Sequence, residues 1–222
     1  MRVCFRAQYL SQPVANMRHE DYDATMLVHA VKGDPLPPKQ WTKVTVGGKR
    51  VRVDHANTQN AVEWFAEWAS DQIDGLGHGP KILIPIPGSS TLAASPANFR
   101  TAILARRIAA HCWRPTVVVP WLRFRDARTS SHGGGTRNPQ ALYENMTHVG
   151  ELPAGEIVLI DDVYTTGAHM RAAAWELHDV DREPVLGLSC GRTLHAQLDD
   201  PFAVESEDLG LQIKTGGTHV RS

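Results

Sequence analysis

From residue 81 onward, short apolar runs alternate with segments of helical period. "KILIPI", "TVVV", "EIVLI" and "PVLGLSC" are continuous apolar runs without the polar alternation of a half-wet strand. Between them lie "NFRTAILARRIAAHCW" and "HMRAAAWELHDV", the second with Met170, Ala173, Ala174 and Leu177 on one face. Strands apolar on both faces, separated by amphipathic helices, indicate an α/β protein with a parallel sheet covered on both sides. In such sheets ligands bind beyond the carboxyl ends of the strands. The α/β portion is expected over about residues 75–195.

Residues 1–56 read as an irregular, mixed portion that caps this sheet. "DPLPPKQ" is a proline-rich loop. "TKVTVGGKRVRV" is a hairpin, with Val44 and Val46 alternating into Gly47-Gly48 and Val51 and Val53 alternating out. "NAVEWFAEWASDQI" is a helix, and Asn60 followed by Glu63 has the spacing of a capping box. The division expected is an N-terminal hood, 1–75, carrying the hairpin and helix, and a core, 76–222, with a C-terminal tail.

Composition narrows the functional classes. The chain of 222 residues is 42% hydrophobic and 21% charged, with mean hydropathy −0.29, which suits a packed globular protein. No stretch nears twenty apolar residues, so no membrane span is expected. The N-terminal "MRVCFRAQYLSQPV" has no apolar core of a secretory signal. Cys4, Cys112 and Cys190 lie far apart, an odd count that suits a reducing, cytoplasmic setting. The eleven histidines show no metal-binding spacing.

Net charge is −1, so the chain as a whole has no nucleic-acid footprint. Charge is nevertheless uneven. Arg100, Arg106, Arg107, Arg114, Arg123, Arg125, Arg128 and Arg137 face a single acid, Asp126, between positions 100 and 137. Such a stretch suits a small polyanion or a nucleic-acid backbone, while Arg106 and Arg107 are expected simply to solvate a helix face.

The segment "IVLIDDVYTTGAHM" carries the chemistry. Asp161 and Asp162 stand at the carboxyl end of a strand expected to be central. Thr165, Thr166 and Gly167 then turn into a helix N-terminus, with Ala168 and His169 in its first turn. Converging backbone N–H groups, the helix dipole and two hydroxyls make a phosphate cradle. A ligand that uses both parts has a phosphate at one end and hydroxyls, or a metal, beside the carboxylates. A ribose 5-phosphate has that form.

"VLIDDVYTTGAH" resembles the phosphoribosyl pyrophosphate (PRPP) signature of type I phosphoribosyltransferases: aliphatics, Asp-Asp, an aliphatic, any residue, Thr-Thr-Gly-Ala, then Thr or Ser. His169 stands where the family has that last hydroxyl; a histidine also donates to phosphate, better when protonated. "LIPIPGSSTLAASPANFRTAILARRIA", "YENM" and "GRTL" are similar to the amidophosphoribosyltransferase-like subgroup typified by competence protein ComF, and "MLVHAVKGD" weakly so. That subgroup's four-cysteine zinc ribbon is missing. So are the basic residues after its first core strand, where this chain has Gly88, Ser89 and Ser90.

The resemblance implies a Rossmann-like type I phosphoribosyltransferase core with a small N-terminal hood. Its loop Gly88-Ser89-Ser90 would receive the pyrophosphate, and Thr165, Thr166, Gly167, Ala168 and His169 the 5′-phosphate. Mg²⁺ would bind through water to Asp161 and Asp162, which also meet the ribose hydroxyls. "RFRDARTSSHGGGTRNPQ" would be a lid, with Gly133, Gly134 and Gly135 as its flexible part, closing Arg125, Arg128 and Arg137 over the leaving group. A nitrogen nucleophile, selected by the hood, would displace pyrophosphate. Trp41 and Tyr22 are able to stack on a base, although packing is the commoner role. The partners expected are PRPP or a ribose 5-phosphate nucleotide, with a second copy of the chain and nucleic acid as secondary expectations. A PRPP- or nucleotide-sensing protein without turnover, and an effector acting on nucleotides or single-stranded nucleic acid, stay open as alternatives.

Overall fold

The computed structural model describes residues 1–12, 14–127 and 137–210. In chain order the elements are β1 (Arg2–Leu10), α1 (His19–Lys32), β2 (Trp41–Val46), β3 (Lys49–Asp54), α2 (Gln59–Asp74), β4 (Lys81–Pro85), α3 (Arg100–His111) and β5 (Thr116–Val118). They continue with β6 (Leu122–Phe124), α4 (Pro139–Glu144), β7 (Met146–His148), β8 (Glu156–Tyr164), α5 (Ala168–His178), β9 (Pro184–Leu194) and β10 (Glu205–Asp208). The central sheet has the order β10-β1-β9-β8-β4-β5. Its strands run parallel except β10, which pairs antiparallel with β1 at the edge. The fold class is therefore mixed α/β with a mainly parallel central sheet.

The four apolar runs become β4, β5, β8 and β9, and side chains of β8 alternate between two cores. Val158 and Ile160 face the layer that contains α1, α2 and α3. Ile157 and Leu159 face the layer formed by α5, α4 and the small β6–β7 sheet. Each such side chain taken fully from water contributes about 1.5–3 kcal/mol.

The N-terminal segment is more regular than its sequence suggests. β1 lies inside the main sheet, between β9 and β10. Val3 and Phe5 are buried on the α5 side and Cys4 on the α1 side. Its later polar residues turn inward as well: half-buried Arg6 lies over the Trp64 ring of α2, 4.5 Å from its centroid, and Gln8 is buried. The hairpin forms as expected, and Gly47 (φ 55°) and Gly48 (φ 74°) supply the left-handed pair that a tight two-residue turn requires.

The capping box at α2 does not form. Thr58 is the N-cap and makes no side-chain cap, and Asn60 instead donates to the carbonyl of Arg52, tying α2 to β3. At α1 an unexpected box does form. Asp21 accepts the Arg18 backbone N–H at 2.9 Å and two guanidinium bonds at 3.0 and 3.1 Å. Gln197 also donates to it, at 2.5 Å, which fastens α1 to the chain beyond β9.

The Arg18 hydrogen bonds hold the Asp21 carboxyl down at about 2. Its folded pKa thus lies below the unfolded value of about 3.9, so its contribution is fully present above that value and disappears as pH falls toward about 2. Asp21→Asn should lower stability by about 1–3 kcal/mol at neutral pH. Urea titrations between neutral pH and pH ~2 should show the variant and wild type converging as acid is added.

Candidate active site

Two loops meet at the carboxyl end of the central pair β4–β8. These strands are adjacent and parallel, with Pro85 opposite Ile160, and the Ile86 N–H donates to the Ile160 carbonyl at 2.9 Å. The chain after β4 and the end of β8 therefore share one edge of the sheet. Gly88, Ser89 and Ser90 form a turn closed by the Thr91 N–H on the Gly88 carbonyl, 2.9 Å, with Gly88 and Ser90 exposed and Ser89 half-buried. The turn is held from both sides. The Thr101 hydroxyl in α3 bonds the Ile86 carbonyl, and Phe124 in β6 exchanges hydrogen bonds with Thr91 and Ala93.

β8 continues as strand through both carboxylates to Tyr164. Asp161 is only 8% exposed and accepts the backbone N–H of Asp162 at 2.9 Å. Burial pushes its pKa well above the usual carboxylate range, and the neighbouring Asp162 charge adds to the shift. Burial raises Asp162 as well, but there Lys32 and Arg100 pull the other way. The two carboxylates are thus unequal: one is screened by cations from α1 and α3, while the other is opposed by its neighbour.

Neither cation was assigned to the carboxylates from the sequence. Lys32 ends α1 and donates to Asp34 at 3.1 Å, and Asp34 in turn lies 2.7 Å from His29 Nδ1. Arg100 begins α3 and donates to the Val31 and Ala30 carbonyls, the exposed dipole end of α1. The segment "MLVHAVKGD" was the one signal for Lys32. Arg100 follows the strand by too many residues to be placed on spacing alone.

The Thr165–Gly167 turn leads straight into α5. Both threonines are exposed, and Gly167 is the N-cap with φ 71° and no side-chain cap. A Cβ on Gly167 would come within 2.5 Å of the Tyr164 hydroxyl and 2.7 Å of Leu209. Arg171 braces the turn by donating to the Thr166 and Leu209 carbonyls at 3.2 and 3.0 Å. Ala168 is buried in the first turn of α5, and half-buried His169 meets the Phe124 ring edge-on at 6.5 Å. The turn, the helix N-terminus and the carboxylates thus follow one another at the carboxyl end of β8.

The arginine stretch is not one surface. Arg100 is spent on α1, Arg106 on Asn98 and the Ala97 carbonyl, Arg107 on Glu63, and Arg114 on the Asp74 carbonyl and His78. Arg123 is only 3% exposed, lies over the Phe99 ring and donates to the Pro120 and Leu122 carbonyls. Arg125 and Arg137 are exposed. Asn145 pins the chain next to Arg125 by bonding both the N–H and the carbonyl of Asp126. Arg128 and Gly133 to Gly135, assigned to a lid from the sequence, lie outside the described residues.

A divalent cation suits this donor set only in part. Among the described residues no three His, Cys, Asp or Glu side chains gather to chelate a metal. Two adjacent carboxyl groups are the number that Mg²⁺ takes while it keeps most of its waters and substrate-phosphate ligands, although burial works against the ionised form that would bind it.

Gly167→Ala should destabilise the fold by about 1–2 kcal/mol from the left-handed backbone alone, with the Tyr164 contact added. Thermal melts check this. Asp161→Asn combined with Asp162→Asn should leave the far-ultraviolet circular dichroism unchanged and raise Tm at neutral pH, because the cost of holding ionisable carboxyls side by side at a largely buried position is removed.

No protein-family model matches the chain, and no curated protein matches it. Among solved structures it is similar to adenine phosphoribosyl transferase from Trypanosoma brucei, in complex with AMP, pyrophosphate and ribose-5-phosphate, at 14% identity over 88% of this chain and 87% of that one, TM-score 0.39. It is similar to orotate phosphoribosyltransferase from Aeropyrum pernix at 15% identity over 76% and 83% of the two chains, TM-score 0.35. A hypoxanthine-guanine phosphoribosyltransferase from Bacillus anthracis matches at 10% identity over 63% and 74%, TM-score 0.32.

Proposed function

We propose that this protein binds PRPP and transfers its phosphoribosyl group to a nitrogen nucleophile, a base or an amine, with release of pyrophosphate. One observation carries the reading. A strand covered on both faces carries Asp161 and Asp162 just before its end at Tyr164, and three residues after that end comes a left-handed glycine at a helix N-terminus. Chemistry that needs buried carboxylates beside an anion cradle fits a sugar phosphate better than a neutral ligand. The motif and the segments around it fit the ComF-like subgroup best.

In this reading the first-turn N–H groups of α5, with Thr165 and Thr166, hold the 5′-phosphate, and His169 replaces a hydroxyl donor. Asp161 and Asp162 accept from the ribose hydroxyls. The turn Gly88-Ser89-Ser90 offers a backbone N–H group and two hydroxyls to the pyrophosphate. Arg125 and Arg137, at either end of the segment that includes Arg128, bring positive charge to the departing group. Mg²⁺, when bound through water to the two carboxylates, would offset phosphate charge. The chain's own contribution is to orient the anomeric carbon, exclude water and stabilise charge that grows on the leaving pyrophosphate. No protein nucleophile is required. The buried free thiols Cys4 and Cys190 suit a cytosolic setting.

A second reading has its own support: a sensor that binds PRPP or a nucleotide without turnover. The Gly88–Ser90 turn contains no cation, and Arg100, the nearest basic residue after it in sequence, is engaged with α1 carbonyls. Incubation with PRPP, Mg²⁺ and a panel of bases and amines, followed by phosphorus NMR, separates the two. Pyrophosphate that appears with an acceptor supports transfer, whereas calorimetric PRPP binding with no pyrophosphate supports sensing.

Asp161→Asn with Asp162→Asn should weaken PRPP–Mg²⁺ binding at least tenfold by calorimetry, equivalent to about 1.4 kcal/mol. Unchanged affinity in that variant would reject the site. Arg137→Ala should lower kcat more than it raises the PRPP dissociation constant, as expected of a group that acts mainly on the transition state, and Arg137→Lys should be partly tolerated.

A further inference from the structure

The sequence drew attention to the arginine stretch as a polyanion surface, yet most of its described members are consumed inside the fold. A different surface has the stated chemistry. In the hairpin, Trp41 pairs with Asp54, Lys43 with Arg52 and Thr45 with Arg50, so these residues share one face. Apart from Asp54 at its end, that face is exposed, while Thr42, Val44 and Val53 are buried on the other. From Lys39 to Asp54 there are five cations, Lys39, Lys43, Lys49, Arg50 and Arg52, and one acid. The acid is Asp54, which is buried and accepts from the Ala56 and Asn57 N–H groups, the Asn57 amide and Arg52.

Two aromatic rings stand open beside this charge. Trp41 is 48% exposed and Tyr22, on the second turn of α1, is 54% exposed. This corrects the expectation that they are packing residues. Lys43 and Arg52 lie over the Trp41 ring, 5.7 and 5.0 Å from its centroid, so an incoming base would take the place of one of these exposed cations on the ring and free it for phosphate. Trp41 and Tyr22 line the same groove, a cavity of about 680 Å³ that also contains Lys39, Lys43 and Arg50. Asp23 is the acid of its lining, and His19 Nε2 stands 3.7 Å from it. The groove follows the first half of α1. At 1.5 Å per residue, Tyr22 is about 15 Å along the helix from Lys32, so this surface is separate from the carboxylate site.

We propose that the outward face of the hairpin and the first half of α1 form a binding groove for single-stranded nucleic acid. Cations track a phosphate backbone, and exposed rings on both walls receive unpaired bases by stacking, which is tolerant of sequence. A duplex keeps its bases stacked on each other and offers no free ring face to Trp41 or Tyr22. An acidic peptide would use the cations alone.

The test is fluorescence anisotropy with labelled oligothymidylate and oligouridylate, each of about 15 nucleotides, and a duplex of the same length. Both single strands should bind, and their ratio tells whether DNA or RNA is preferred. The duplex should bind more weakly. With Lys39, Lys43 and Arg50 on phosphates, the logarithm of affinity should fall with the logarithm of salt at a slope of about −2. Trp41→Ala should weaken binding about tenfold, and Trp41→Phe should restore most of it. Lys43→Ala with Arg50→Ala should make the slope shallower by about 1.4. All these positions are solvent-facing, so thermal melts of the variants should match wild type. Failure of either strand to bind at low salt would overturn the proposal. So would Trp41→Ala binding as wild type, or inorganic polyphosphate competing as well as the oligonucleotide. None of these readouts involves PRPP, so the outcome is independent of the reading of Asp161 and Asp162.

Discussion

The arrangement turns on the cost of ending a fully enclosed strand with charge. β8 sits between β9 and β4, with helices over both faces, and near its end it carries a buried Asp161 beside a half-buried Asp162. Buried carboxylates persist only when hydrogen-bonded, paired or partly neutral. The surroundings supply two of these remedies: a backbone N–H for Asp161 and two cations near Asp162. The neighbouring loops are correspondingly firm, with Gly167 fixed against Tyr164 and the Gly88 turn fastened through Phe124.

Arg100 makes this local problem a matter for the whole chain. Its guanidinium closes the carbonyl end of α1 while its charge reaches Asp162, so the start of α3, the end of α1 and the end of β8 become one electrostatic unit. Burial and nearby acids act on it in opposite directions, with burial the larger. The N-terminal third of the protein is consequently tied to the end of β8 through Lys32 and the Arg100 contacts with α1. Any change that loosens α1 from the β9–β10 connection, where Asp21 meets Arg18 and Gln197, shifts Lys32 as well.

What could be read from the sequence divides along physical lines. β4, β8 and β9 were legible because strands covered on both faces must be apolar throughout, and the Asp-Asp to Thr-Thr-Gly passage was legible because it is local. β1 was not. "RVCFRAQYL" places Arg6 and Gln8 where a core strand should be apolar, and only the Trp64 ring against half-buried Arg6 and the neighbouring layer around buried Gln8 account for them. Asn60 is not the cap because α2 starts earlier, with Thr58 at the N-cap, and its amide instead donates to the Arg52 carbonyl, a partner that spacing cannot reveal. Charge density along the arginine stretch was visible, but its partners, Glu63, Asn98 and the α1 carbonyls, come from distant positions. The hairpin was recognised as a hairpin, while the outward aim of Trp41 depends on which of its faces α2 covers.

The place of β1 has a consequence for how this chain reaches its native state. Arg2 pairs with Leu186 on one side and with Asp208 on the other, so the first strand made is among the last that can be seated. During synthesis β1 emerges with both hydrogen-bonding edges open and with Val3 and Phe5 uncovered, and it waits until β9 and β10 have followed. Closing that span is a long-range event of the kind that slows folding. Through that interval the burden of solubility rests on Arg2, Arg6 and Gln8, the same polar residues that disguise the strand in the sequence.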